Sequence, residues 1–394
     1  MFSSAANIRA LIRDYRISDR VMRYSLFAPR LYNYCKSLGY EPGKIMPSRA
    51  FCSDESQGYP IIMLNKHFGT FPFNHGRVGG IVATGRHGPY ASHGKDLVIV
   101  QASHVGYDPL GKQFGTYRRL HTENLDSSAN CGKIDSVLQW YLTEYEFARR
   151  HIYLERHEGE PAVTIDNHLL QDFRSEGVFV VLEKIAEPDP GGGHTPLRAR
   201  VTGESYRASH RLRKALGDAA WPAEGAVEIG DGLLPDMFCF KRRSDVMTVS
   251  DVDVEGRNHL ETNLIKAMSW IVTSASPLLT AAKLNSQVEF DRVFRTIVRE
   301  PAYRGKKILL ISGLNIDVSP QPGQLFPLTK FVPWAAYYQD RDGSHLTLEQ
   351  QTLFDTLNAQ SVDNPDQIDM EQAIRSMGEA QEVEIAPIAE QKTC

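Results

Sequence analysis

The chain has 394 residues, 42% hydrophobic and 23% charged, ordinary proportions for a globular protein with room for two domains or for one domain carrying an insertion. A net charge of −4 gives no case for nucleic-acid binding, and no apolar run reaches the roughly 18–20 residues that a membrane-spanning helix needs. Five scattered cysteines (Cys35, Cys52, Cys131, Cys239, Cys394) do not read as a disulfide framework. They fit a reducing cytoplasm, and residues 1–20 lack the apolar centre of a secretory leader, with organellar targeting left open.

In chain order, residues 1–40 read as a helical arm, because Ile8, Leu11 and Ile12, then Val21, Leu26 and Leu31, recur near helical spacing. Residues 44–51 read as a strand that delivers Cys52 at its C-terminal end. The Gly-rich segment 74–95, with His75, His87 and His93, is too rich in glycine for a helix or a central strand. It reads as a loop near a site or as an irregular surface loop. Its Gly85-Arg86-His87-Gly88 lacks the pattern of a phosphate loop.

The run 97–101 is continuously apolar, as a parallel strand covered on both faces requires, and puts His104 just past its end. Ligands of open α/β sheets gather at such ends. A helix follows over 134–152, with Cys131 just before its N-terminus, where the partial positive charge favours a thiolate.

Residues 155–258 form a separate insertion. It should hold a strand at 177–182, a glycine loop at 190–193, a basic helix near 207–216 and a strand pair, 237–241 with 245–252. Helices at 264–272 and 290–298 lead to a strong strand at 307–318, and 325–338 closes the fold. The acidic tail, 341–394, reads as partly disordered with two short amphipathic helices, 348–357 and 368–377, the first opened by a Thr347/Gln350 capping pair. The domains are thus the arm 1–40, a main domain of 41–154 with 259–340, the insertion 155–258 and the tail.

Three residues carry the chemistry. Cys52, His104 and Cys131 supply two thiolates and an imidazole, a three-ligand zinc set that leaves one tetrahedral position for water, with the Asp54 carboxylate nearby. The separations, 51 and 26 intervening residues with no C-x-x-C pair, match no zinc finger. On spacing alone, two buried cysteines and a strand-end histidine describe these positions as well.

The ordered set Cys52-Ser53-Asp54-Glu55, Phe68-Gly69, Val78-Gly79-Gly80, Thr84-Gly85, His104-Val105-Gly106-Tyr107-Asp108, Gly111, Gly115 and Cys131-Gly132 resembles the low-CO2-inducible protein B/C family. Gly313-Leu314-Asn315-Ile316-Asp317 and Phe326-Pro327-Leu328 extend the likeness to about half of the chain. That family is a divergent branch of the beta-carbonic-anhydrase-like proteins.

The resemblance implies an α/β fold with a mostly parallel central sheet flanked by helices. It implies Zn2+ on Cys52, His104 and Cys131, with Asp54 beside it, and a zinc-dependent carbonic anhydrase that interconverts CO2 and bicarbonate through a zinc-bound hydroxide. It also implies a homodimer. In typical beta-type enzymes an arginine two residues after the aspartate pins it, but here that residue is Ser56, so Arg77 or Arg86 would substitute. His87 and His93 are candidate proton shuttles, or loop histidines bonded to backbone. The alternatives are a zinc hydrolase of a CO2-like molecule such as carbonyl sulfide, and an inactive scaffold or CO2 sensor whose zinc site Asp54 closes.

Overall fold

Apolar side chains on both faces of one long strand organise the molecule. The computed structural model describes residues 5–83, 96–118, 127–171, 176–242, 259–321, 324 and 327–379. Its central sheet contains β1 (Ile45–Ala50), β2 (Asp96–Asp108), β3 (Ile308–Val318), β4 (Lys330–Gln339) and β5 (His345–Glu349). β2 lies parallel to β1 on one side and to β3 on the other. β4 and β5 add antiparallel strands beyond β3. The main helices are α1 (Ala5–Asp14), α2 (Tyr24–Ser37), α3 (Gly58–Phe68), α4 (Gly132–Arg150), α5 (Pro277–Arg299), α6 (Gln350–Asn358) and α7 (Met370–Glu379).

The period of two along β2 sends alternate residues to opposite layers. Val98, Val100 and Ala102 join Phe27 and Leu31 of α2, Leu64 of α3 and Leu353 of α6. Leu97 and Ile99 join Val293 and Ile297 of α5. A strand buried on both faces must be apolar throughout, which is why 97–101 carries no charge. The sequence therefore gives an α/β fold with a parallel core.

Pairing between β1 and β2 stops at Ala50 opposite Gln101, whereas β3 follows β2 as far as Val318 opposite Tyr107. The second half of β2, from Ala102 on, thus has lost its β1 neighbour, and the chain leaving β1 turns across the gap. His104 lies in this part of β2 rather than beyond the strand, because β3 keeps the extended conformation going. The residues expected at the strand ends gather where β1 ends.

Other elements differ from the sequence reading. α5 begins at Pro277, well before 290, with Ser276 at its cap position and proline in its first turn. Within residues 152–228 a hairpin, Ile152–His157 with Glu160–Asp166, pairs with Gly203–Arg207 and Ala226–Glu228. Phe238–Lys241 pairs with Gly177–Val180, and the expected partner 245–252 lies outside the described residues. β5 and α6 carry the folded chain past residue 340, with Leu353 and Leu357 fully buried. Gln350 does not form the Thr347 capping pair. Its side-chain amide donates to the carbonyls of Arg16 and Pro333 and ties α6 to the core.

Candidate metal centre

Cys52 follows β1 by two residues and begins the turn into α3. Asp54 caps that turn by accepting the Ser56 backbone N–H at 3.1 Å, and the 3-10 turn Glu55–Gln57 runs on into α3. Cys131 is the cap residue of α4. Its approach is set by β2, because the Gly106 N–H, two residues past His104, donates to the Asn130 carbonyl at 2.9 Å. A Cβ on Gly106 would lie 2.5 Å from the Thr116 carbonyl oxygen, so only glycine allows this close contact.

These local arrangements bring Cys52, His104 and Cys131 together, with one ligand atom from each lying within 4.8 Å of the others. All three are buried, among Ile81, Val105, Ile134 and Leu260. The two sulphur atoms are 3.8 Å apart. A disulfide would need about 2.05 Å. Two thiolates each about 2.3 Å from one tetrahedral metal stand about 3.8 Å apart.

The His104 ring is fixed from behind. Its Nδ1 lies 2.7 Å from an Asp317 carboxylate oxygen on β3, and both side chains are fully buried. Asp317 also accepts from Ser56 Oγ at 2.7 Å, Gln57 Nε2 at 3.0 Å and Thr329 Oγ1 at 3.0 Å. With these donors converging on it, the Asp317 carboxylate acts as an acceptor, so Nδ1 carries the proton and Nε2 presents its lone pair. That Nε2 is buried and has no hydrogen-bond partner. A buried lone pair beside two thiol sulphurs, backed by a carboxylate, is the donor set of a metal-ligating histidine. These residues fit zinc.

Among themselves the three ligand groups share protons, which a bound metal would displace. The neighbouring Cys131 thiol, the adjacent His104 ring and the Gly79 N–H hold the Cys52 thiol well below its ordinary range, despite burial. The same sharing with Cys52 pushes Cys131 up. Burial opposes charge on His104, but Cys131, Asp317 and Cys52 outweigh it and raise its affinity for a proton. For Asp54 burial is likewise opposed, by His104 and by the Ser56 N–H, and its carboxyl sits below the usual range.

Asp54 is half-buried beside the cluster and outside the three-residue group. Among the described residues no basic side chain pairs with it. Arg77 is exposed on the two-residue strand Gly76–Arg77. Arg86, His87 and His93 lie outside the described residues. Asp317, Ser56, Gln57 and Thr329 have no assigned role in the sequence reading. The available signal was the pair Asn315 and Asp317, two strongly polar residues near the end of a mostly apolar strand.

No family model matches the sequence, and no curated protein does. Solved structures match in fold. PtLCIB4, a homolog of the limiting CO2-inducible protein LCIB, aligns with a TM-score of 0.50 at 12% identity, over 88% of this chain and 99% of its own. The fold is LCIB-like. LCIB itself aligns at 0.43 and 11%, over 84% of this chain and 96% of its own. At these identities the likeness is one of fold, and the LCIB-like architecture agrees with the family read from the ordered motifs. Among the described residues no helix is long and apolar enough to cross a membrane.

Proposed function

We propose that this LCIB-like chain is a zinc-dependent carbonic anhydrase. The observation that carries the reading is the meeting of three buried donor atoms, two sulphurs at zinc-like separation and an unpartnered Nε2, with the Asp54 carboxylate adjacent but not among them. Three protein donors leave a position open for chemistry, where four would close it. Zinc held there would supply a Lewis acid that makes water acidic enough to attack CO2 near neutral pH.

The chain's own residues do the rest. Asp317 keeps His104 in the tautomer that ligates through Nε2. Ser56 serves twice, its N–H holding Asp54 and its hydroxyl holding Asp317. Asp54, ionised at neutral pH, would accept the proton of the attacking water. The three donors are buried, which keeps bulk water from them.

A closed, inactive site is the second reading. It is favoured by the lack of a basic partner for Asp54 among the described residues, because nothing cationic there draws the carboxylate away from a metal. Zinc content and CO2 hydration measured on one preparation test the proposal. Zinc with hydration supports it, and zinc without hydration overturns it in favour of the closed site or another substrate. The same proposal includes a cytoplasmic homodimer, so sedimentation at micromolar concentration should show twice the 44.3 kDa chain mass.

A further inference from the structure

We propose that Asn285 on α5 is a positioning residue for this centre. Through Gly79 it holds the backbone N–H that points at Cys52 and so limits the charge that thiolate gives a metal. The inference rests on the reading of the cluster as a metal centre.

The Gly79 N–H donates to Cys52 Sγ at 3.1 Å. Gly79 and Gly80 both take left-handed conformations, with φ of 83° and 74°. A Cβ on Gly80 would sit 2.9 Å from Ser103 Cα, so the turn is pressed against β2 one residue before His104. Two successive residues at positive φ do not hold themselves in place. Asn285 holds them. Its Nδ2 donates to the Gly79 carbonyl at 3.1 Å and to Ser103 Oγ at 2.8 Å.

The direction of the amide is fixed from the far side. Asn285 Oδ1 accepts from Asn263 Nδ2 at 2.8 Å, and that same amide donates to Glu289 at 2.7 Å. Glu289 is fully buried, paired with Arg292, and accepts the Val82 N–H at 2.9 Å. With Oδ1 occupied, only the NH2 end of Asn285 can face Gly79. A chain of satisfied buried polar groups therefore runs from Glu289 to a donor on the sulphur. Such chains are costly to bury when incomplete.

The effect on the metal follows from the donor set. Two thiolates are strong donors and make a weaker Lewis acid than neutral imidazoles. A hydrogen bond to one sulphur withdraws part of that charge. Asn285 thus acts on electrophilicity without touching the metal.

The full-length protein loaded with Co2+ reports this directly through its thiolate-to-cobalt absorption, and Zn2+ affinity is read by chelator competition. In Asn285→Ala the absorption should move to lower energy, because the Cys52 sulphur regains charge. Zinc affinity should fall by about tenfold, the lower end for a lost outer-shell partner. Ser312→Ala, which removes a buried hydroxyl bonded to Gln101 and to the Ser286 carbonyl, should move neither. If Asn285→Ala does not fold, Asn263→Ser should give the same direction of shift at smaller size. An unmoved band and unchanged affinity in the Asn variants, with a metal-loaded parent, overturn the inference alone. A parent that takes up neither metal overturns the metal-centre reading and the inference with it.

Discussion

Asp317 accepts a hydrogen bond from His104 Nδ1 at 2.7 Å across the parallel pair of β2 and β3, and neither side chain is exposed to solvent. The register explains the contact. His104 lies opposite Asn315, so Asp317, two residues on, shares its face. Asp317→Asn would replace an obligate acceptor by an amide whose NH2 end must face other donors. Zinc affinity should drop by about 10- to 100-fold, the scale for disturbing a partner of a metal-ligating histidine. Competition with a chromophoric chelator measures it, and an unchanged affinity would show that His104 needs no fixed tautomer.

The ligand set makes its own prediction. Cys52→Ala, His104→Ala and Cys131→Ala should each abolish the one zinc per chain, because the remaining two donors cannot hold it at neutral pH. Cys35→Ser and Cys239→Ser should keep it. Cys35 is buried in the α2 layer, on the far side of β2 from α5, and Cys239 is exposed on the insertion. Elemental analysis of purified variants decides. Zinc lost from Cys239→Ser but retained in Cys131→Ser would mean that the three residues are not the ligands.

These two cases show what the sequence could and could not disclose. Cys52, His104 and Cys131 were picked out by the ordered motifs of the resemblance, since spacing alone described two buried cysteines and a strand-end histidine as well. Asp317 was not, since its role depends on the pairing of two strands that are 213 residues apart in the chain. The parallel core was legible from the apolar run 97–101. The start of α5 was not, because its first turns bury Thr280, Asn285, Ser286 and Gln287, polar residues that dilute the apolar period. Two of them, Asn285 and Ser286, bond to Ser103 of β2, and Asn285 also reaches the Gly79 turn, so part of what hid the helix serves the site.

Acid should destabilise the fold through His75. Its ring is 4% exposed, accepts from or donates to Ser48 Oγ at 2.6 Å, and burial lowers it to about 4. An unfolded histidine titrates near ~6.5. Above that pH both states are neutral and His75 contributes no pH dependence. Between ~6.5 and 4 the unfolded chain binds a proton that the folded chain refuses, so stability falls as pH falls, by on the order of 3 kcal/mol at the lower end. Urea midpoints across this window should slope more steeply for the parent than for His75→Gln. Parallel slopes would mean that His75 protonates in place.

Asp54 separates an open site from a closed one. Its carboxylate is half-buried, capped by the Ser56 N–H at 3.1 Å, and held below the usual range against its burial by His104 and that N–H. In the open site it accepts a proton from attacking water and does not ligate. Asp54→Asn then keeps zinc at full occupancy while CO2 hydration falls by about 10²-fold or more, the scale for losing a positioned proton acceptor. In the closed site Asp54 is a fourth ligand, and the same substitution weakens zinc retention in a protein that was already inactive. The Ser56 contact favours the open site, because a carboxylate that caps its own turn is held back from the three donors. X-ray absorption on the zinc-loaded parent reads the difference directly. Two sulphurs and one imidazole from the protein support the open site at any pH. A protein carboxylate ligand that persists from low to high pH, and disappears in Asp54→Asn, would sink the carbonic anhydrase reading.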